Sequence, residues 1–286
     1  NATFQLACIH RLCANLIESA QVLGLEPKPI WHQVREHLPQ AALIGEAGDE
    51  QIALWEDTPL EESHRHHSHL AALCPFDTLN FEDENWNPIL IRSLAHWIKT
   101  GPGMWSGWCV PWASMICTRS GMPQAAELWL EIWRRLYTNE GHGTLHDVDF
   151  AGFSLMGKQV SASRSTKMEI MQMDAGMACV AALQEMLLHV RGGVNYLFCG
   201  ASCRWERVGF EGLRTESGFL VSARRRNGRI GKVRVDSLVG GRFRLRNPWG
   251  SAAMLVRKGK KKIELNGEVL EVTAKKGESF VLAPSA

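Results

Sequence analysis

Tyrosine, unbroken apolar runs and a surplus of either charge are all scarce in this sequence, and each shortage removes a class of explanation. Lys and Arg total 32 against 30 Asp and Glu. No excess positive charge is therefore available to hold a phosphate backbone irrespective of its sequence, and neither nucleic acid nor a membrane surface is an expected partner. No stretch of eighteen apolar residues occurs, which excludes a membrane-spanning helix. Residues 1–12 do not have the charged-then-apolar layout of an export signal. The chain nevertheless opens without Met, directly in a helical pattern, as a piece of a longer protein would, so cytoplasmic and secreted locations both stay open. Cysteine, at eight in 286 residues, is too sparse for a disulfide-stapled scaffold, and most of these thiols are expected as reduced core residues. Cys199-x-x-x-Cys203 has half the shape of a zinc site, but no matching Cys or His pair follows it.

What is abundant is tryptophan, 11 against only 2 Tyr. Trp129 and Trp133, four apart on a helical pattern, read as core. Others fall in Gly- and Pro-rich connections. The length suffices to bury one large domain with an appendix.

Apolar residues Leu6, Ile9, Leu12, Cys13, Leu16, Ile17, Ala20 and Leu23 recur at the 3-4 spacing of an amphipathic helix, and Gly24 stops it. Pro29 opens a second helix ending before Pro39. Residues 44–81, rich in Gly, Asp, His and Pro, read as a long structured loop. Residues 87–99, 112–119, 123–137 and 175–190 are further expected helices. Helix pairs joined by decorated loops suit an α/α toroid. After Gly192 the period changes to short β-type runs at 219–223, 232–236, 242–245, 253–256 and 279–282, separated by Asn-Gly and Gly-Gly turns. The expected architecture is mainly α, with a helical part over 1–192 and a small antiparallel, sandwich-like β domain over 193–286. The basic run 258–262 is expected as a solvated hairpin.

Three polar clusters offer chemistry. In His64-Arg65-His66-His67-Ser68-His69, four imidazoles within six residues suit a metal, but no second segment of ligand spacing accompanies them. The same loop can present donors and acceptors to a pair of sugar hydroxyls. Asp174 sits among Met171, Met173 and Met177, where desolvation would suit a working carboxylate, yet an N-cap on a helix beginning at Ala175 explains it as well. Trp105, Trp108 and Trp112, among glycines and prolines, suit either a sugar-stacking platform or a packed corner.

Taken in order, these segments resemble glycoside hydrolase family 95, the family of α-L-fucosidases and α-L-galactosidases. The string His64-Arg-His-x-Ser-His-Leu70 is the most specific element. Gly107-Trp-x-x-x-Trp112, Arg119-x-Gly121, Thr144-Leu-x-Asp147, Gln172-x-Asp174 and Glu185-Met-Leu-Leu188 resemble later landmarks, and Gly212-Leu-Arg214 through Ser237 is similar to the start of a trailing β domain. The resemblance implies a partial (α/α)6 barrel and an inverting reaction, with a glutamic acid protonating the leaving oxygen and an aspartate activating water. By motif position Asp174 is that aspartate, with His64, Arg65, His66, His69, Trp108, Trp112 and Gln172 expected to hold a terminal α-L-fucosyl or related sugar. No cofactor or metal is implied. The glutamic acid has no counterpart here and is expected upstream, in a missing N-terminal part of the same protein. The sequence departs from the family pattern at Gln5, Leu54, Ala113, Ala175 and Gly176, and residues 150–166 look inserted. Those departures leave a second expectation beside the enzyme: a non-catalytic carbohydrate-binding or scaffold protein on a decayed barrel.

Overall fold

Helix formation in the first part of the chain follows the apolar spacing. In the computed structural model, which describes residues 1–148, 152–155 and 170–285, helix α1 (Thr3–Val22) buries Leu6, Ala7, Cys13, Ile17 and Ala20. Gly24, at φ +69°, takes the left-handed conformation that ends it. Helix α2 (Pro29–His37) starts at its proline, whose missing N–H costs nothing in the first turn. The loop expected over 44–81 carries a two-residue ladder, β1 (Leu43–Ile44) with β2 (Gln51–Ile52), and a 3₁₀ turn, Ser68–Leu70. Helix α3 (Trp86–Thr100) falls where the period placed it.

The next helices shift at their ends. Helix α4 (Cys109–Arg119) begins three residues before the expected Trp112, because Pro111 is tolerated in a first turn. Helix α5 (Pro123–Leu136) buries Trp133 and half-buries Trp129. Helix α6 (Met173–Leu187) starts two residues early, so Asp174 lies inside its first turn rather than capping it. It also ends early, since the residues expected as its last turn form strand β3 (Leu188–Arg191). Most of the segment expected as an insertion, residues 150–166, lies outside the described residues.

The chain forms two compact units, residues 1–116 with 130–178, and residues 117–129 with 179–286. The second contains two sheets. Strand β3 turns through Gly192 and Gly193, both at positive φ, into β4 (Val194–Leu197), a two-residue hairpin of the kind such glycines permit. Strands β5 (Arg207–Arg214), β6 (Phe219–Arg226), β7 (Arg229–Ser237), β8 (Gly241–Arg246), β9 (Ala253–Arg257), β10 (Ile263–Leu265), β11 (Val269–Ala274) and β12 (Ser279–Pro284) follow. One sheet has the order β10-β9-β12-β7-β6-β5 and the other β11-β8-β4-β3. All pairings are antiparallel except β4 with β8, a departure from the wholly antiparallel domain expected.

Alternation decides the interior of this unit. On β6, Phe219, Val221 and Ala223 are buried while Leu220 and Ser222 are not. Phe219, Phe243 and Phe280 meet edge to face, with centroids 5.2 and 5.7 Å apart, and knit strands of both sheets into one core. The basic run forms the exposed β9–β10 connection, as a solvated hairpin should.

Candidate functional site

Three segments far apart in sequence are joined by main-chain hydrogen bonds. The N–H of His146 donates to the Ile170 carbonyl and that of Gln172 to the Thr144 carbonyl, each at 2.8 Å. The Thr144 hydroxyl donates to the Gln172 carbonyl at 2.6 Å, and the Gly107 N–H to the His146 carbonyl at 2.9 Å. The Gln172 side-chain oxygen then accepts the Trp108 N–H at 2.8 Å. Gly107 is required here by contact: a β-carbon would stand 2.1 Å from the Leu145 carbonyl oxygen. Gly176 is similar, since a β-carbon would meet the Thr144 methyl at 2.9 Å. The segments around Gly107, Thr144 and Gln172 thus form one clasp, and Asp174 emerges from it in the first turn of α6, where a helix N-terminus favours negative charge. Asp174 is exposed, as are Met173 and Met177, so the desolvated setting expected from its neighbours is not formed.

The histidine loop divides by burial. His67, 1% exposed, is ringed by Trp97, Trp105 and Trp112 with centroids at 5.1, 4.6 and 5.3 Å. The Trp97 indole N–H donates to its Nδ1 at 3.1 Å, so Nδ1 is an acceptor and the proton sits on Nε2, which donates to the Cys109 carbonyl at 3.0 Å. Burial pushes the His67 pKa down to about 3 and that of His69, 3% exposed, also to about 3. His64 and Arg65 are exposed, and the Arg65 carbonyl accepts the Cys109 thiol. His66 is half-buried. Its pKa is lowered by burial first and then by Arg65 and His64, with the Asp174 carboxylate acting in the opposite direction. It is therefore neutral at pH 7 and offers one donor and one acceptor. Burial raises the Cys109 thiol to about 11, which removes it as a nucleophile. Among the described residues no three His, Cys, Asp or Glu side chains assemble into a group able to hold a metal ion.

A cavity of about 480 Å³ opens between these parts, lined by Phe4, His66, Ser68, Pro75, Phe76, Trp108, Trp112 and Met115. It is mainly apolar, with His66 and Ser68 as its polar groups, a composition suited to a sugar ring that has one hydrophobic face. Of the expected platform only Trp108 keeps an open surface. Trp112 is 5% exposed with its indole N–H on the Cys74 carbonyl, and Trp105 stacks on Trp97 at 5.4 Å. Sequence reasoning brought forward His66, Trp108 and Trp112 but missed Phe4 and Phe76, which pair at 5.8 Å. Nothing local marks Phe4, which reads as another apolar residue of a helix.

A sequence model of the glycosyl hydrolase family 95 catalytic domain matches residues 1–187. The chain belongs to glycoside hydrolase family 95. No curated protein matches it in a sequence search. The family 95 match stops at the last residue of α6, so it contains the cavity, the clasp and the histidine loop, and makes that region glycoside-hydrolase catalytic sequence.

Proposed function

We propose that this chain carries the base side of an inverting glycosidase site for terminal α-L-fucosyl or related α-L-sugars, with Asp174 as the base. The six helices among the described residues are, in this reading, a section of an (α/α)6 barrel occupying residues 1–192, and residues 193–286 are the trailing β domain. Asp174 takes a proton from water as the oxygen attacks the anomeric carbon, and the departing oxygen receives its proton from an acid with no counterpart in residues 1–286. Trp108 packs on the ring's apolar face. Neutral His66 bonds hydroxyls, with His64 and Arg65 at the rim and Trp112 closing the wall. Gln172 acts through Trp108, whose N–H it holds, and His69 supports the loop from beneath. The observation that carries this reading is the cavity itself: His66 and Trp108 line it, and Gln172, which holds the Trp108 N–H, lies two residues before Asp174 in the first turn of α6.

The test is hydrolysis of nitrophenyl α-L-fucoside and α-L-galactoside by a form of the protein that also carries the acid, with and without Asp174→Asn. Removing the base lowers kcat by about 10²–10⁴-fold; unchanged turnover would sink the assignment. The close approach of Thr144 to Gly176 favours a second reading, because it crowds any side chain at a position where the sequence departs from the family pattern. In that reading the site binds sugar without cleaving it. Calorimetric binding of L-fucose that survives Asp174→Asn, with no turnover by either form, would establish it.

A further inference from the structure

The even charge balance of the whole chain conceals a segregation. Residues 188–286 hold 20 Lys and Arg against 8 Asp and Glu, whereas residues 1–187 hold 12 against 22, a net +12 and a net −10 with His neutral. Much of the acid in the basic part is already engaged: Glu211 by Arg224, Asp236 by Arg234, Glu268 by Arg246, Glu271 by Arg244 and Glu278 by Arg257.

Register concentrates the remainder. Arg207 of β5 stands opposite Arg226 of β6, and Arg226 stands opposite Arg229 of β7, so three guanidinium side chains form one row across three adjacent strands. All three are exposed, and none has an ion-pair partner among the described residues. Their neighbours Val208 and Ile230 pack on the core, which turns the arginines to the outer face. Beside the row lies a recess of about 460 Å³ lined by Arg207, Gly209, Glu211, Arg224, Arg225 and Arg226, together with Val208 and Phe210. Gly209 leaves its floor open, for a β-carbon there would meet Arg224 at 2.8 Å. Arg225 is fixed by donating to the Ala201 and Ser202 carbonyls at 2.9 and 2.6 Å.

Like charges directly opposite one another destabilise a sheet. A row of three is a cost to the free protein, one that an anion bridging them reverses through charge-assisted, forked hydrogen bonds. We propose that the outer face of β5–β7 binds an anionic polysaccharide, one bearing carboxylate or sulfate groups along the chain. The aromatic residues of these strands, Phe210 and Phe219, are buried, so the face offers no ring on which nucleic-acid bases could stack. The proposal does not rest on Asp174: the face lies beyond the family match, and binding is read without turnover.

The experiment is affinity electrophoresis of the full chain through dextran sulfate, polygalacturonate and neutral dextran, with a duplex DNA oligonucleotide as competitor. Two triple variants remove the same charge, R207S/R226S/R229S from the row and K258S/K261S/K262S from the β9–β10 connection, with far-UV circular dichroism as the check on folding. Both anionic polymers should retard the protein in a salt-sensitive way, and dextran should not. The arginine variant should lose at least ~10-fold in affinity and the lysine variant less than ~3-fold. Should the arginine triple misfold, R226Q alone should still weaken retardation measurably. No retardation, equal loss from both triples, an unaffected R226Q, or tighter binding of duplex DNA than of either polysaccharide would overturn the proposal.

Discussion

His67 occupies a position where charge is not tolerated. Its Nδ1 must accept from the Trp97 indole while its Nε2–H serves the Cys109 carbonyl, so a second proton would break the first bond inside a ring of tryptophans. With pKa values pushed by burial to about 3 for His67, about 3 for His69 and about 4 for His189, these three rings stay unprotonated in the folded chain where an unfolded histidine, near 6.5, takes up a proton. The unfolded state therefore binds more protons below about pH 6.5. Stability held above that pH is lost as pH falls toward about 3, by about 1.4 kcal/mol per pH unit for each such histidine. Thermal unfolding midpoints should fall from pH 7 to 4.5, less steeply in His67→Gln, and a flat profile would contradict the assignment of these rings as neutral. Gly107 gives a steric prediction at the same scale. Gly107→Ala drives a β-carbon into the Leu145 carbonyl and should destabilise by at least about 2 kcal/mol, whereas Gly141→Ala, which meets nothing closer than 3.5 Å, should stay within about 0.5 kcal/mol. Urea unfolding distinguishes the two. The sequence singled out the histidine string, but a string does not say which ring faces a cavity and which a core, because that depends on tryptophans some thirty to forty-five residues away.

Elements are tied by a few strong contacts. Near the ends of α4 and α6, Arg119 grips Glu185 through two hydrogen bonds of 2.9 and 2.6 Å, and Arg119 is buried. Glu185→Gln removes the carboxylate charge from that buried guanidinium and should cost about 3–5 kcal/mol, while Arg119→Met combined with Glu185→Leu should recover most of the loss. Chemical denaturation of the single and double variants checks the cycle; additive losses would show that the pair is not a unit. Arg119 and Glu185 both belong to motifs visible in the sequence, yet their pairing is not, since nothing local links residues 66 positions apart. Helix ends were equally hidden. The last turn expected of α6 became β3 because Leu188 to Arg191 find a β partner in residues 194–197, across a Gly-Gly turn that allows the reversal. Strand β5 escaped notice because Gly209 and Gly212 interrupt its alternation.

At the scale of the molecule, several helices keep apolar side chains in solvent. Met173, Met177, Val180 and Leu183 recur along α6 at helical spacing, and Ile91 and Ile98 on α3 and Leu12 and Val22 on α1 are likewise exposed. Apolar surface of this extent is a docking or aggregation surface. The isolated chain should self-associate in sedimentation velocity, M177E/V180E should shift it toward monomer, and a monomer at every accessible concentration would refute the expectation. The linear sequence by itself marked where the six helices among the described residues lie, through apolar period and helix-opening prolines; the β6–β7 hairpin turn, through Asn-Gly; and the family, through ordered motifs. These are properties of neighbours within a few residues, which local sterics and hydrogen bonding settle. Tertiary structure alone decided that Gln172 reaches Trp108, that Phe4 and Phe76 share a cavity with His66, that Asp174 stands in solvent, and that three arginines fall in one row. Each of those depends on register and packing between distant segments, where a shift of one residue turns a side chain to the opposite face.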